Sequence, residues 1–351
     1  MLLMQHRPLF WRKPYPQCII LCWIGNRHWS QANVLNSMKR DIWLRDNRTA
    51  LMQRLEWLRD QPDGVLYFEP AGSHSTMVTK TGTQIRLLLV EEADPEADLI
   101  QSRLDLRDPL HLVSAYSQAV MLALAWNSQP TRIYMVGLGG GRMPVVLHHY
   151  LPQATIECAE IEPSVVEAAV RFFGLQMDQR LVVVLQDGRD YLAERDPHVQ
   201  YDVLIVDAVL SNGFMPYSLA TEEFYDLCQV HMSPDGVIAV NLLRNYPFFA
   251  EKVKTIQRAF EHVYLCPVSG GNAVVFASQG NWLDPQELAQ RSKALQTYHD
   301  FSFSLPKHAS ATQSGPTLYE YVFGLSDARP LMDSSPPNDY LDHEAIAPPV
   351  D

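Results

Sequence analysis

Cysteine is scarce in this chain: Cys18, Cys22, Cys158, Cys228 and Cys266 are scattered through 351 residues. No Cys-x-x-Cys pair occurs and the 12 histidines show no metal-ligand spacing, which excludes a disulfide scaffold or a zinc module as the organising element. No metal is expected. Long apolar runs are missing too. Cys18-Ile-Ile-Leu-Cys-Trp-Ile24 is far shorter than the roughly 20 residues that cross a bilayer. It follows Arg12 and Lys13 as a signal-peptide core would, but Asn26-Arg-His-Trp29 comes next instead of a small-residue cleavage site. Positive charge is in deficit: 28 Lys and Arg against 40 Asp and Glu leave a formal charge of −12, with no basic patch. That balance argues against a nucleic-acid partner and is compatible with a cationic substrate. The expectation is a cytoplasmic protein with no membrane partner.

What is present centres on Ile133-Tyr-Met-Val-Gly137-Leu-Gly139-Gly140-Gly141-Arg142, an apolar run ending in four glycines within five residues. It reads as a buried strand that stops and turns into a helix. Glycine allows the tight turn and lets a ligand approach the backbone. Beyond it, apolar strands over 133–136, 155–161, 181–185, 203–206 and 237–241 alternate with helices over 143–150, 164–173, 222–231 and 247–260. The second helix opens on Ser164-Val-Val-Glu167, a capping box, and stops at Gly174. Continuous apolar strands imply a sheet covered on both faces, so the fold class is α/β, a Rossmann-like doubly wound sheet. Two more runs, 263–266 and 273–277, flank Pro267-Val-Ser-Gly-Gly-Asn272 and suit an antiparallel hairpin. By fold-level analogy, a sheet ending this way is more typical of nucleoside-sulfonium transferases than of nicotinamide dehydrogenases, and the expected fold is of the class I methyltransferase type.

Ahead of this domain, a helix over 48–60, strands over 65–68, 75–79 and 85–90, and a helix over 109–126 give a small antiparallel β domain with helical flanks. After it, Asp284-Pro-Gln-Glu287 opens a helix to about residue 296, and 302–351 reads as an irregular tail with a mobile end. The expected divisions are 1–45, a weakly ordered extension; 46–127, the N-terminal helix and β domain; 128–281, the nucleoside-binding catalytic domain; and 282–351, the C-terminal helix and tail.

In a doubly wound sheet the ligand lies across the carboxyl ends of the strands, where chain order reverses. Gly137, Gly139, Gly140 and Gly141 follow the first strand, Glu160 and Glu162 end the second, Asp187 and Gly188 the third, and Asp207 the fourth. Glu160 is placed to accept the ribose hydroxyls of an adenosine, unless it is a solvated strand end. Asp187 either meets the adenine amino group or caps the next helix. Asp207 is either catalytic or a loop anchor. Glu222 and Glu223 read as acids favoured in a helix's first turn, while Tyr116 and Tyr217 stay open. A nicotinamide dinucleotide is disfavoured because Arg142 stands where its fingerprint needs a third glycine. Arg142 itself meets a carboxylate or sits on the helix surface.

Taken jointly, Gln101, Tyr116-Ser-Gln-Ala, Gly137-Leu-Gly-Gly-Gly141, Glu160-Ile-Glu-Pro163, Leu185-Gln-Asp187-Gly188, Tyr201-Asp-Val-Leu-Ile-Val-Asp207, Thr221-Glu-Glu-Phe-Tyr225 and Pro234-Asp-Gly236 resemble the spermidine synthase (polyamine aminopropyltransferase) family over about 65–277. The resemblance implies a β-stranded N-terminal domain often used in oligomerisation, hence a homodimer, and a catalytic domain that binds decarboxylated S-adenosylmethionine. It puts Glu160 on the ribose, Asp187 on the adenine side, Gln101 and the glycine loop with the nucleoside, and Tyr116 near the amine.

Two departures stand out. Family members carry an aspartate directly after the triple glycine, where this chain has Arg142, and an Asp-Ser-Ser-Asp pattern where it has Asp207-Ala-Val-Leu210. A primary amine with a pKa near 10 arrives as an ammonium, and carboxylates orient it and help it lose a proton. The expected reaction is aminopropyl transfer to a polyamine or other small amine. The alternatives are methyl transfer from S-adenosylmethionine (AdoMet), which asks mainly for alignment, with Arg142 holding the methionine carboxylate, and a non-catalytic nucleoside-binding protein. A substitute acid near Asp207, such as Glu222 or Glu223, favours polyamine chemistry. An arginine at the nucleoside tail favours AdoMet, and the lack of an acceptor channel a binding protein.

Overall fold

The polar end of each central strand is set by the sheet that carries it. A computed structural model describes residues 31–71, 74–91, 99–280 and 282–345. Two compact units divide the chain, Met1–Arg40 and Asp41–Asp351. The described part of the first is the opening of α1 (Gln31–Leu55). Residues 1–30 of the expected weakly ordered extension lie outside the described residues, but 41–45 are helical, a correction with a tertiary cause. Trp43 Nε1–H donates to the His149 carbonyl at 2.9 Å, and the Arg180 guanidinium stacks over the indole. Partners 106 residues away leave no local pattern.

The N-terminal sheet is an antiparallel meander, β1 (Gly64–Ala71), β2 (His74–Thr81), β3 (Gln84–Glu91) and β4 (Leu99–Asp105). β4 was not expected, because polar Gln101, Ser102, Arg103 and Asp105 dilute its apolar pattern; pairing of Ile85 with Leu104 and Leu87 with Ser102 holds it to β3. The helix expected over 109–126 is shorter. Turns carry the chain to α2 (Ala115–Val120), and a 3-10 segment, Met121–Ala125, follows. Leu110 and Leu112, counted as one face of a helix, are buried loop residues.

The main domain runs β5 (Arg132–Val136), α3 (Arg142–Tyr150), β6 (Thr155–Glu160), α4 (Pro163–Phe172), β7 (Leu181–Leu185), α5 (Gly188–Glu194), β8 (Tyr201–Val206), α6 (Glu222–Val230), β9 (Met232–Leu243), α7 (Phe249–Ala259), β10 (His262–Pro267) and β11 (Asn272–Ser278). The chain continues through α8 (Pro285–His299), α9 (Leu305–Ala311), β12 (Gln313–Ser314), α10 (Pro316–Tyr321) and α11 (Asn338–Ala345). Among the described residues the sheet order is β12-β10-β11-β9-β8-β5-β6-β7, with β5 to β9 parallel and the β10–β11 hairpin antiparallel. Alternate residues enter two separate cores: Ile133 and Met135 pack on one face, Tyr134 and Val136 on the other. This is why the strands read as unbroken apolar runs. Chain order reverses at β5, which pairs β6 on one side and β8 on the other, so the crevice opens beyond Val136, Glu160 and Val206.

Two further expectations are corrected. α4 starts at Pro163 with Glu162 at its N-cap, so Ser164 is no capping-box residue; its hydroxyl lies 2.7 Å from Thr76 Oγ1 in a buried pair. The tail over 302–345 is not irregular but holds α9, α10 and α11, the first two with proline in the opening turn. These helices are too short to show a period. Asp284 does cap α8, accepting from Gln286 N and Glu287 N, and Gly174 (φ +75°) follows the end of α4.

Candidate functional site

Gly137 leaves β5 at φ +86°, and a Cβ there would sit 2.3 Å from the Asp207 carbonyl oxygen. Only glycine lets this turn and the end of β8 pass so closely. At Gly140 the obstacle is different: its Cβ would meet Ser102 Cβ at 2.7 Å and Phe173 at 2.8 Å, and its amide donates to Ser102 Oγ at 2.8 Å. The glycine loop is thus clamped between β4 and the end of α4. Gly139 lines the crevice, and Gly141 is the N-cap of α3.

Glu160 fixes the other side of the loop. Its Oε2 accepts from Leu138 N at 2.9 Å, and its Oε1 from Ile161 N at 2.8 Å and Glu162 N at 3.1 Å. Burial pushes its pKa up while these amides oppose the shift. Glu160 shares a pocket of about 100 Å³ with His74, Gln101, Gly139, Glu162 and Asp207. His74 Nε2 lies 3.7 Å from Glu162 Oε1, and neither it nor buried Gln101 Nε2 has a hydrogen-bond partner. Unsatisfied buried polar atoms are rare enough that two in one crevice point to a polar ligand.

A second, wider pocket of about 530 Å³ meets the first at Gln101, Asp207 and Val209. Its walls include Arg103, Ser114, Tyr116, Asn241 and Asn272. Asp207, at the junction, accepts from Asn241 Nδ2 at 2.8 Å and from the Tyr116 hydroxyl. Burial raises its carboxyl to about 6, with those two donors holding it down. The same burial, with the Asp207 charge second, lifts the Tyr116 phenol well above its ordinary range, so that hydroxyl stays a donor.

Other candidates make structural contacts of their own. Asp187 caps α5, accepting from Arg189 N at 2.7 Å and Asp190 N at 3.0 Å. Gly188 packs α5 onto β5: a Cβ would lie 2.4 Å from Val136 Cγ1. Neither lines the two pockets just described. Glu222 pairs with Arg258 at 3.3 Å, Glu223 accepts from Asp333 N at 3.0 Å, and the Tyr217 hydroxyl donates to the Met332 carbonyl at 2.7 Å, so none of them supplies a second acid. Sequence reasoning missed Asn241, Asn272, His74 and Arg103. Asn241 had a signal, since it is the one polar residue in the apolar run 237–243; the rest depend on strand pairing.

Arg142 is not on the surface and no carboxylate pairs with it among the described residues. Only 5% exposed, it donates from Nη1 to the Phe173 carbonyl at 2.6 Å and from Nη2 to the Pro109 carbonyl. Phe173 follows the last turn of α4, where unpaired carbonyls attract cations, and Arg54 holds the Gly174 carbonyl alongside. Burial lowers the Arg142 pKa to about 10. Arg142→Met should therefore cost about 2 kcal/mol of stability, a fall in Tm of several degrees, while nucleoside affinity by calorimetry changes less than about threefold. A large affinity loss at unchanged Tm would instead make Arg142 a ligand contact.

Residues 115–269 match the family described as "Spermine/spermidine synthase domain". The polyamine aminopropyltransferase of Chromobacterium violaceum is 32% identical over 188 residues, which cover 52% of this chain and 69% of that relative. The chain belongs to the spermidine synthase family. It is similar as well to the eEF1A lysine and N-terminal methyltransferase of Bos taurus, 27% identical over 208 residues, although the match spans 54% of this chain and only 30% of that protein. Among solved structures, human methyltransferase-like protein 13 in complex with SAH superposes with a TM-score of 0.50 at 25% identity, covering 54% of this chain and 95% of that one. The family and these relatives are transferases, which sets the class of this chain. Among the described residues no helix is long and apolar enough to cross a membrane, and no group of three or more His, Cys, Asp or Glu is placed to hold a metal ion.

Proposed function

We propose that this member of the spermidine synthase family transfers a methyl group from AdoMet to an amine acceptor. One observation carries the reading: among the described residues, the pocket beyond Asp207 is lined by a single carboxylate and has the Arg103 cation on its wall. A polyamine acceptor carries several positive charges, and here it would meet one acid and one like charge. Leu210 stands where the family's second acid belongs, and Glu222 and Glu223 are engaged elsewhere. A monoamine, such as a lysine side chain or N-terminal amine, needs only one carboxylate.

On this reading AdoMet is a co-substrate. Glu160 would receive its ribose hydroxyls, and Gln101 Nε2 and Arg103 are donors available to its carboxylate; both terminal nitrogens of Arg142 are engaged with backbone, which leaves its Nε. The acceptor ammonium first gives up a proton to bulk water; as the neutral nitrogen then attacks the methyl carbon in line, the C–N bond forms, the S–C bond breaks and positive charge grows on nitrogen. Asp207 stabilises that charge, and the proton departs to water. The open pocket on the acceptor side supports an enzyme over a mere binding protein.

Aminopropyl transfer is the second reading, favoured by the Chromobacterium relative. Purified protein incubated with AdoMet or decarboxylated AdoMet, together with polyamines and lysine-bearing peptides, separates them by mass spectrometry. S-adenosylhomocysteine with a methylated amine is the expected product pair; methylthioadenosine with an aminopropylated polyamine would overturn the proposal.

A further inference from the structure

Asn241 and Asn272 stand on neighbouring antiparallel strands, β9 and β11, with Asn241 opposite Val274 and Asn272 opposite Leu243. Both line the pocket of Asp207. Asn272 Nδ2 donates to Asn241 Oδ1 at 3.0 Å, and Asn241 Nδ2 donates to Asp207 Oδ1 at 2.8 Å. We infer that Asn272 is a positioning residue: by occupying the carbonyl of the Asn241 amide it leaves only the NH₂ group to face Asp207. An amide has one accepting and one donating end, so filling the first decides the second. Turned round, Asn241 would present a carbonyl oxygen to a carboxylate oxygen, an arrangement only protonated Asp207 could satisfy.

Asn272 therefore favours the ionised form of a residue it does not touch. Buried Asn241, 7% exposed, has little water to compete for its amide, so the contact with Asn272 determines its orientation. Among the described residues, the other charged or titratable side chains on the walls Asp207 shares are Tyr116, Arg103, Arg142, Glu160, Glu162 and His74. None changes in the variants below. The inference rests on the reading of Asp207 as the group at the reacting centre, and not on which group is transferred.

The test is the titration of Asp207 in the full chain, followed by difference infrared spectroscopy with isotope-labelled aspartate and with Asp207→Asn to assign the band. Asn272→Leu, close in size but without a donor, should raise the midpoint by about half to one pH unit. Asn272→Gln, which keeps an amide, should restore most of the shift. Equal midpoints in all three proteins would overturn the inference. So would equal shifts in the Leu and Gln variants, which would mark a packing effect. If Asn272→Leu does not fold, Asn272→Ala is read by the same criteria. The predicted pattern of shifts in a protein that forms no S-adenosylhomocysteine would uphold the positioning role and remove the methyl-transfer reading.

Discussion

Glu160→Ala should weaken S-adenosylhomocysteine binding by roughly 100-fold or more, about 3 kcal/mol, because a charged acceptor of two ribose hydroxyls is lost from a buried crevice. The carboxylate already holds the amides of Leu138, Ile161 and Glu162, so it arrives at the ligand oriented rather than mobile. Those same bonds mean the alanine variant also loosens the glycine loop. Glu160→Gln separates the two effects: it keeps the shape and one oxygen, and should lose about tenfold. Glu167→Ala is the control, since Glu167 pairs with Arg171 on the surface of α4, 2.6 Å away, and lies outside the crevice. Isothermal calorimetry with the Tm of each variant decides. Equal losses for the Glu160 and Glu167 variants would remove the ribose role.

The features of this site that sequence makes visible are those fixed by neighbours along the chain. An apolar run buried on both faces, a glycine turn at its end and an acid at the end of the next strand are local patterns, so Gly137, Glu160 and Asp207 were legible before any coordinates. Asp187 was legible with two roles that sequence does not separate. An aspartate before a glycine at a helix start is both a plausible adenine contact and a good cap, and the hydrogen bonds to Arg189 N and Asp190 N establish the cap. Arg142 shows the opposite limit. Its partners, the carbonyls of Phe173 and Pro109, are brought to it by the end of α4 and a loop before α2, and a sequence carries no mark of backbone acceptors. β4 escaped because its polar residues face the crevice, so the very residues that equip the site, Gln101 and Arg103, broke the pattern that identifies a strand.

Asp207→Asn should lower the rate of S-adenosylhomocysteine formation by about 10³-fold, roughly 4 kcal/mol in the barrier, because among the described residues no other carboxylate lines the acceptor pocket to meet the charge that builds on the attacking nitrogen. The wild-type rate should carry an acid limb near pH 6. Burial disfavours the carboxylate and lifts its pKa from 3.8 to about 6, so the ionised form is present at pH 7 to 8 and is lost as pH falls through that value. Stability runs the other way. A group whose folded pKa is raised stabilises the fold most at pH values below its unfolded pKa, and that contribution disappears as pH rises through about 6. At neutral pH the buried charge of Asp207 is thus a burden that Asp207→Asn relieves, even though the substitution slows the reaction. The expected signature is a slowed variant whose Tm at pH 7.5 equals or exceeds that of the wild type, with the advantage shrinking as pH falls through about 6 and gone only below the unfolded value of 3.8. An Asp207→Asn protein that melts lower and retains turnover would make Asp207 a loop anchor, held by Asn241 and Tyr116 for packing and not for chemistry.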